Sequence, residues 1–185
     1  MTLQPTLTTE RLILRPFHPT DSATVARLAG DKSIADMTAN IPHPYEDPMA
    51  QVWIKSHVGV YHQRSGVIYA ITQRQQDEAL IGAVSLLNIS EGVGTLGYWL
   101  GVDYWGNGFA QEASMALIQF ARPHFELSGL KAMHLVENRQ SQSVIQKLGM
   151  TYIDNHIIKM QGKEREVCVY QQIFSPQVTV ATSQN

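Results

Sequence analysis

Apolar residues along the chain recur in two rhythms. Runs at residues 12–14, 67–72, 80–87, 95–102, 132–136, 152–158 and 165–174 alternate or are continuously apolar, which predicts strands. The polar stretch Gln75, Gln76 and Asp77 between the second and third runs predicts a hairpin, and the last two runs predict another. Helical spacing covers 21–29, with Gly30 suited to cap it, and resumes after Asp47 and Pro48, read as an N-cap and a first-turn proline. The helix behind them, reaching to about Ser65, offers Val52, Trp53, Val58 and Tyr61 as its apolar face. Two more helices are predicted: 110–121, ended by Pro123, and 141–148, closed by Gly149. Between the first two helices, Pro42 and Pro44 make 37–45 a loop.

This order predicts an α+β chain with helices interrupting a mixed, mainly antiparallel sheet. A single domain over 1–174, followed by a polar tail at 175–185, is expected from the 185 residues. With 44% hydrophobic and 16% charged residues, the composition is that of an ordinary globular protein. The net charge of −2 carries no basic footprint for nucleic acid, and no apolar run approaches the ~20 residues that span a bilayer. One cysteine, Cys168, excludes an internal disulfide and fits a reducing compartment. It lies in the alternation Val167, Cys168, Val169, Tyr170 and reads as a strand residue. The N-terminus shows no secretory pattern, so a cytoplasmic location is expected and the triplet Asn88-Ile89-Ser90 is a chance glycosylation match.

The strongest local feature is the turn Gly106-Asn107-Gly108-Phe109-Ala110 between a strand and a helix. Small residues at 106, 108 and 110 let main-chain N–H groups approach a ligand, and the helix start adds unpaired amides and about half a positive charge. That combination suits a diphosphate held by backbone alone. An ordinary tight turn is the alternative. A Walker loop is excluded because no Gly-Lys-Ser/Thr follows, and a dinucleotide fingerprint would need a small residue where the chain has Gln111.

Gly97-Tyr98-Trp99-Leu100, leading to Tyr104-Trp105-Gly106-Asn107-Gly108-Phe109-Ala110-Gln111-Glu112-Ala113, resembles the acetyl-CoA motif of the GNAT acetyltransferases. Within them it is similar to the ribosomal-protein alanine/serine N-acetyltransferase group. Thr9-Glu10-Arg11-Leu12-Ile13-Leu14-Arg15 resembles that group's opening strand, and Asn138-Arg139-Gln140-Ser141 with Lys147-Leu148-Gly149-Met150 resembles its second cofactor segment. The resemblance implies a fold whose central strands, here 95–102 and 132–136, splay apart around the pantetheine arm. It implies that backbone groups of Leu100, Gly101 and Val102 bond that arm. Amides of Trp105, Gly106, Asn107, Gly108, Phe109 and Ala110 would hold the diphosphate, and the Asn138 side chain would reach the pantetheine. Leu100 and Val102 also read as buried strand residues, Trp105 as a packing residue, and Asn138 as a helix cap.

An acetyl transfer needs a neutral amine, a polarised thioester carbonyl and a proton for the departing thiolate. The resemblance implies Ser141 as the general acid, with Ser143 an alternate, since the tyrosine used by many relatives is replaced here by Ile145. A first-turn serine bonded to local backbone is its alternative reading. A backbone N–H near Leu100 is expected to polarise the carbonyl. No base is assigned: Thr95 stands where relatives carry a glutamate, the final hairpin offers only Ile158, Lys159 and Met160, and Glu112, Glu164 and Glu166 read as solvated. Freeing an α-amine near pKa 8 at pH 7 costs about 1.4 kcal/mol, against about 4.6 for a lysine. A base-poor site therefore favours a protein N-terminus or another low-pKa amine over an internal lysine. Asp36, His43, Tyr45 and Glu46 are candidate substrate contacts on the expected loop.

The expected activity is thus acetyl-CoA-dependent acetylation of a protein N-terminus, with a small amine (polyamine, amino acid or antibiotic) as the alternative acceptor. A non-catalytic acyl-CoA sensor is the competing class. No metal is expected, since His57 and His62 are five apart with no zinc-binding pattern between them. Neither a membrane nor a nucleic-acid partner is expected.

Overall fold

A computed structural model of the chain describes residues 3–38, 40–75 and 79–175. Its strands are β1 (Leu7–Thr8), β2 (Leu12–Arg15), β3 (Val67–Gln73), β4 (Leu80–Ser90), β5 (Val93–Leu100), β6 (Gly129–Leu135), β7 (Thr151–Met160) and β8 (Lys163–Ile173). Its α-helices are α1 (Ser22–Ala29), α2 (Lys32–Met37), α3 (Asp47–His62), α4 (Phe109–His124) and α5 (Arg139–Lys147). The strands make one sheet in the order β1-β2-β3-β4-β5-β6-β8-β7. All neighbours are antiparallel except β5 and β6, which need a crossover and receive it from α4. Both expected hairpins form, although Gln76 and Asp77 of the first turn lie outside the described residues.

The parallel pair is short. Register runs from Val93 opposite Gly129 to Leu96 opposite Ala132 and then stops, while both strands continue. Beyond that point β5 remains paired only with β4, and β6 only with β8. The two central strands therefore part, as the resemblance implied.

Each face of the sheet is covered. On one side α4 presents Ala113, Leu117 and Ala121, all fully buried at four-residue spacing, to a core that includes Leu96, Leu100 and Leu130. On the other, α1 and α3 bury Val25, Ala29, Ala50 and Ile54, with Trp99 packed against them. Successive strand residues point to opposite faces, so Tyr98 lies on the α4 side and Trp99 on the α1/α3 side.

Several local expectations shift. The α2 helix occupies 32–37, ahead of the loop, because Asp31 caps it by accepting from Ser33 N and Ile34 and Ala35 become buried. Glu46 is the N-cap of α3, with Asp47 and Pro48 inside its first turn. The buried face of α3 is Ala50, Ile54, His57 and Tyr61, whereas Val52 and Val58 face solvent. Pro123 does not end α4: it falls in the last turn, and Phe125 N still bonds Ala121 O at 2.9 Å. Gly30 caps α1 in a right-handed conformation (φ −71°), so it is not a left-handed cap. β5 ends at Leu100, and residues 102–104 form a 3-10 turn that leaves Val102 37% exposed. Cys168 is a strand residue of β8, as expected.

Candidate active site

A continuous cleft of about 1000 Å3 runs through the gap between β5 and β6. Its three stretches differ in chemistry.

At one end lies the turn before α4. Gly106 and Gly108 sit at φ +77° and +78°, a region L side chains avoid, and a Cβ at Gly106 would meet nothing within 4 Å. Gly108 is the N-cap of α4, and the first amide of the helix to find a main-chain acceptor is Glu112 N, bonded to Gly108 O at 3.0 Å. None of the N–H groups of residues 106–111 donates to a carbonyl among the described residues. Six adjacent donors at a helix start, with open space above Gly106 and the Arg11 guanidinium 3.5 Å from where a Gly108 Cβ would stand, fit an anionic diphosphate. Trp105 departs from its expected role: its amide is spent on Val102 O at 3.1 Å.

Arg11 completes this corner, unnoticed in the sequence. It lies over the Phe109 ring at 4.7 Å, donates to Asn107 O at 3.0 Å, and pairs with Glu112 at 2.6 Å. Glu112 is no solvated residue, since its side chain is 17% exposed and also accepts from Thr9 Oγ1 at 2.6 Å and Arg11 N at 2.9 Å. Burial opposes its ionisation, but the Thr9 and Arg11 hydrogen bonds outweigh that and hold the carboxyl below its usual range.

In the middle stretch the open edge of β5 faces the gap. Gly101 N donates to Ile81 O at 2.9 Å across the β4 ladder. Antiparallel alternation then turns the main-chain groups of Trp99 and Gly101 toward β4 and those of Tyr98 and Leu100 toward the gap. Gly101 is thereby withdrawn from the expected set, its carbonyl also being taken by Tyr104 N at 2.9 Å. The Leu100 carbonyl accepts the Trp105 indole N–H at 2.8 Å. What Leu100 offers the gap is chiefly a donor.

Ser141 lies across from this edge. Its amide is capped by Asn138 Oδ1 at 3.0 Å, so Asn138 is the helix N-cap, and Asn138 Nδ2 reaches toward Met37 O at 3.5 Å. The Ser141 hydroxyl lies 2.8 Å from the Tyr98 hydroxyl. Burial pushes the Tyr98 phenol up to about 12, despite its bond to Ser141. His134 also lines the cleft. It is 4% exposed, its Nδ1 is 2.8 Å from Leu135 O, and its Nε2 has no hydrogen-bond partner among the described residues. A carbonyl only accepts, so Nδ1 carries the proton and Nε2 the lone pair in the neutral ring.

The far end is walled by Val25, Ile34, Ile41, Tyr45, Trp53 and Trp99. Of the four residues expected on the substrate loop, only Tyr45 lines the cleft. Asp36 pairs with Lys32 at 2.7 Å on α2, His43 Nδ1 is 3.0 Å from Gly30 O, and Glu46 caps α3. Among the described residues the single carboxylate lining the cleft is Glu137, paired with Arg165. No group of three or more His, Cys, Asp or Glu suited to a metal ion occurs among the described residues, and none of their helices is long and apolar enough to cross a membrane.

Known proteins are similar to this chain in sequence or in fold. The N-acetyltransferase YoaA of Bacillus subtilis (strain 168), itself uncharacterised, is 24% identical over 148 residues, 78% of this chain and 82% of its own. The ribosomal L7/L12 α-N-protein acetyltransferase RimL in complex with coenzyme A superposes with a TM-score of 0.80 at 15% identity, over 91% of this chain and 98% of that one. The microcin C7 self-immunity acetyltransferase MccE in complex with acetyl-CoA and AMP superposes with a TM-score of 0.78 at 16% identity, over 90% and 94%. At those identities the likeness to the two structures is one of fold. The acetyltransferase (GNAT) domain profile matches residues 11–151. With the parted strands and the amide-rich turn, that match identifies the chain as a GNAT-family N-acetyltransferase.

Proposed function

We propose that this enzyme takes acetyl from acetyl-CoA and places it on the α-amine of a protein N-terminus or a comparable monoamine. The observation that carries the donor half is the run of unpaired amides at 106–111, continuous through the gap with the edge of β5. Those amides would hold the diphosphate, and the open edge at Tyr98 and Leu100 would bond the pantetheine. Acetyl-CoA supplies an activated acyl group, and the residues around it have three tasks. The Leu100 N–H is a donor for the thioester carbonyl, Ser141 is a proton source for the thiolate, and the apolar wall excludes water.

The acceptor half rests on the composition of that wall. A polyamine or an aminoglycoside carries several positive charges, and recognition of such a substrate calls for several carboxylates. Glu137 is already neutralised by Arg165, and no other carboxylate lines the cleft among the described residues. A single amine flanked by an uncharged peptide backbone or a small apolar side chain suits such a wall. Such an α-amine also needs the least help to lose its proton.

Thiol release from acetyl-CoA, measured over a panel of N-terminal peptides, free amino acids, polyamines and aminoglycosides, tests both halves. The expected result is turnover with kcat/KM at least tenfold higher for peptides or other monoamines than for polycations. Preference for polycations overturns the acceptor assignment. Acetyl-CoA binding without turnover on any amine overturns the catalytic reading.

A further inference from the structure

The acid in the proposed reaction is a serine, and a serine hydroxyl has one proton and a free rotor. Where that proton points decides whether Ser141 serves the sulfur or satisfies the protein. The Tyr98 hydroxyl, 2.8 Å from Ser141 Oγ and 3.2 Å from Ser141 O, faces that choice directly. The Ser141 carbonyl belongs to the first turn of α5, where the helix ladder supplies an N–H four residues on. The shorter contact, to Oγ, is therefore the better acceptor for the phenol. Once Tyr98 donates to Oγ, the serine proton cannot point back at Tyr98 and is free to point into the cleft. Both residues line the cleft. Burial also keeps the phenol protonated, so this donor persists across the working pH range.

We infer that Tyr98 is a positioning residue: by donating to Ser141 Oγ it turns the serine O–H toward the departing sulfur. This rests on the proposed acetyl transfer and on Ser141 as its acid. In the step, the amine nitrogen forms a bond to the thioester carbon and the carbon–sulfur bond breaks. Sulfur leaves with the electron pair and takes the proton of Ser141 Oγ. The proton shed by the nitrogen as it becomes an amide passes to Oγ, which restores the serine. Tyr98 keeps its own proton throughout.

A double-mutant cycle on the full-length enzyme tests this, reading kcat and the KM for acetyl-CoA with the best amine of the panel. Tyr98→Phe should lower kcat about tenfold with the KM changed less than twofold, and Ser141→Ala should lower kcat by at least as much. The double variant should be no slower than Ser141→Ala alone, because Tyr98 works only through Ser141. Independent, multiplying losses overturn the inference, as does a Tyr98→Phe enzyme with unchanged kcat or with the loss confined to KM. If Ser141→Ala alone leaves kcat intact, the acid assignment fails and this inference with it, while turnover on the amine panel still stands. Urea unfolding of each variant confirms that the kinetics are read on folded protein.

Discussion

The indole N–H of Trp105 donates to the Leu100 carbonyl at 2.8 Å, closing the chain back onto the last residue of β5. This bond consumes the acceptor that Leu100 would otherwise show the gap and fixes the end of the open edge. Trp105→Phe keeps the ring packing and deletes the donor. Stability should fall by about 1 kcal/mol, the usual net value of such a bond. The KM for acetyl-CoA should rise several-fold while kcat moves little. Urea unfolding and initial-rate kinetics check the pair of effects.

A different pair of substitutions isolates charge at the turn. Gly108→Ala and Gly108→Asp both force a side chain into the left-handed region, at a cost of roughly 1–2 kcal/mol. Only the second adds a negative charge where six amides are unpaired. Coenzyme A affinity, measured by calorimetry, should be at least tenfold weaker for Gly108→Asp than for Gly108→Ala. Equal affinities would mean that the turn does not face the anion.

Glu112 ties the segment before β2 to the first turn of α4 through Thr9 and Arg11. Its folded pKa is depressed, so its stabilisation is present above the ordinary carboxyl range and is lost as pH falls through the folded value. Glu112→Gln should cost about 1–2 kcal/mol at pH 7 in urea. The gap between wild type and variant should close on acidification.

Buried His57 predicts a second pH effect. It packs edge-on against Trp53 at 4.4 Å and Phe17 at 5.2 Å, both ring nitrogens lack hydrogen-bond partners among the described residues, and burial lowers its pKa to about 4. Between that value and the ordinary 6.5 the unfolded chain binds a proton that the folded one refuses. Stability should therefore fall as pH drops through this window, by roughly 3 kcal/mol in total. His57→Phe should flatten this part of the unfolding profile. An unchanged slope would show that the ring gains a partner.

The parts of this molecule visible in its sequence are those set by local chemistry. The turn at 106–110, the Asn138 cap and the strand runs all rest on neighbours within a few residues. What the sequence hid depends on distance. Tyr98 and Ser141 are 43 positions apart, and Arg11 and Glu112 are 101 apart, so no spacing announces either contact. On α3 Trp53 and Tyr61 pack inward as expected, but Val52 and Val58 do not, because Ala50 and His57, which take the buried face, are weaker apolar signals. Contact with α1 and the sheet, not hydropathy, decides which side is buried. The α2 helix was too short to show a period, and its burial of Ile34 and Ala35 is tertiary.

In the proposed reaction, bare main-chain amides at the head of α4 grip the diphosphate of the acyl donor. A crystal structure of the enzyme grown with coenzyme A tests it most directly. Diphosphate oxygens are expected within about 3.2 Å of several N–H groups of residues 106–111, and the pantetheine chain along Tyr98 and Leu100. A diphosphate bound elsewhere, with those amides turned onto the protein's own carbonyls, would contradict it.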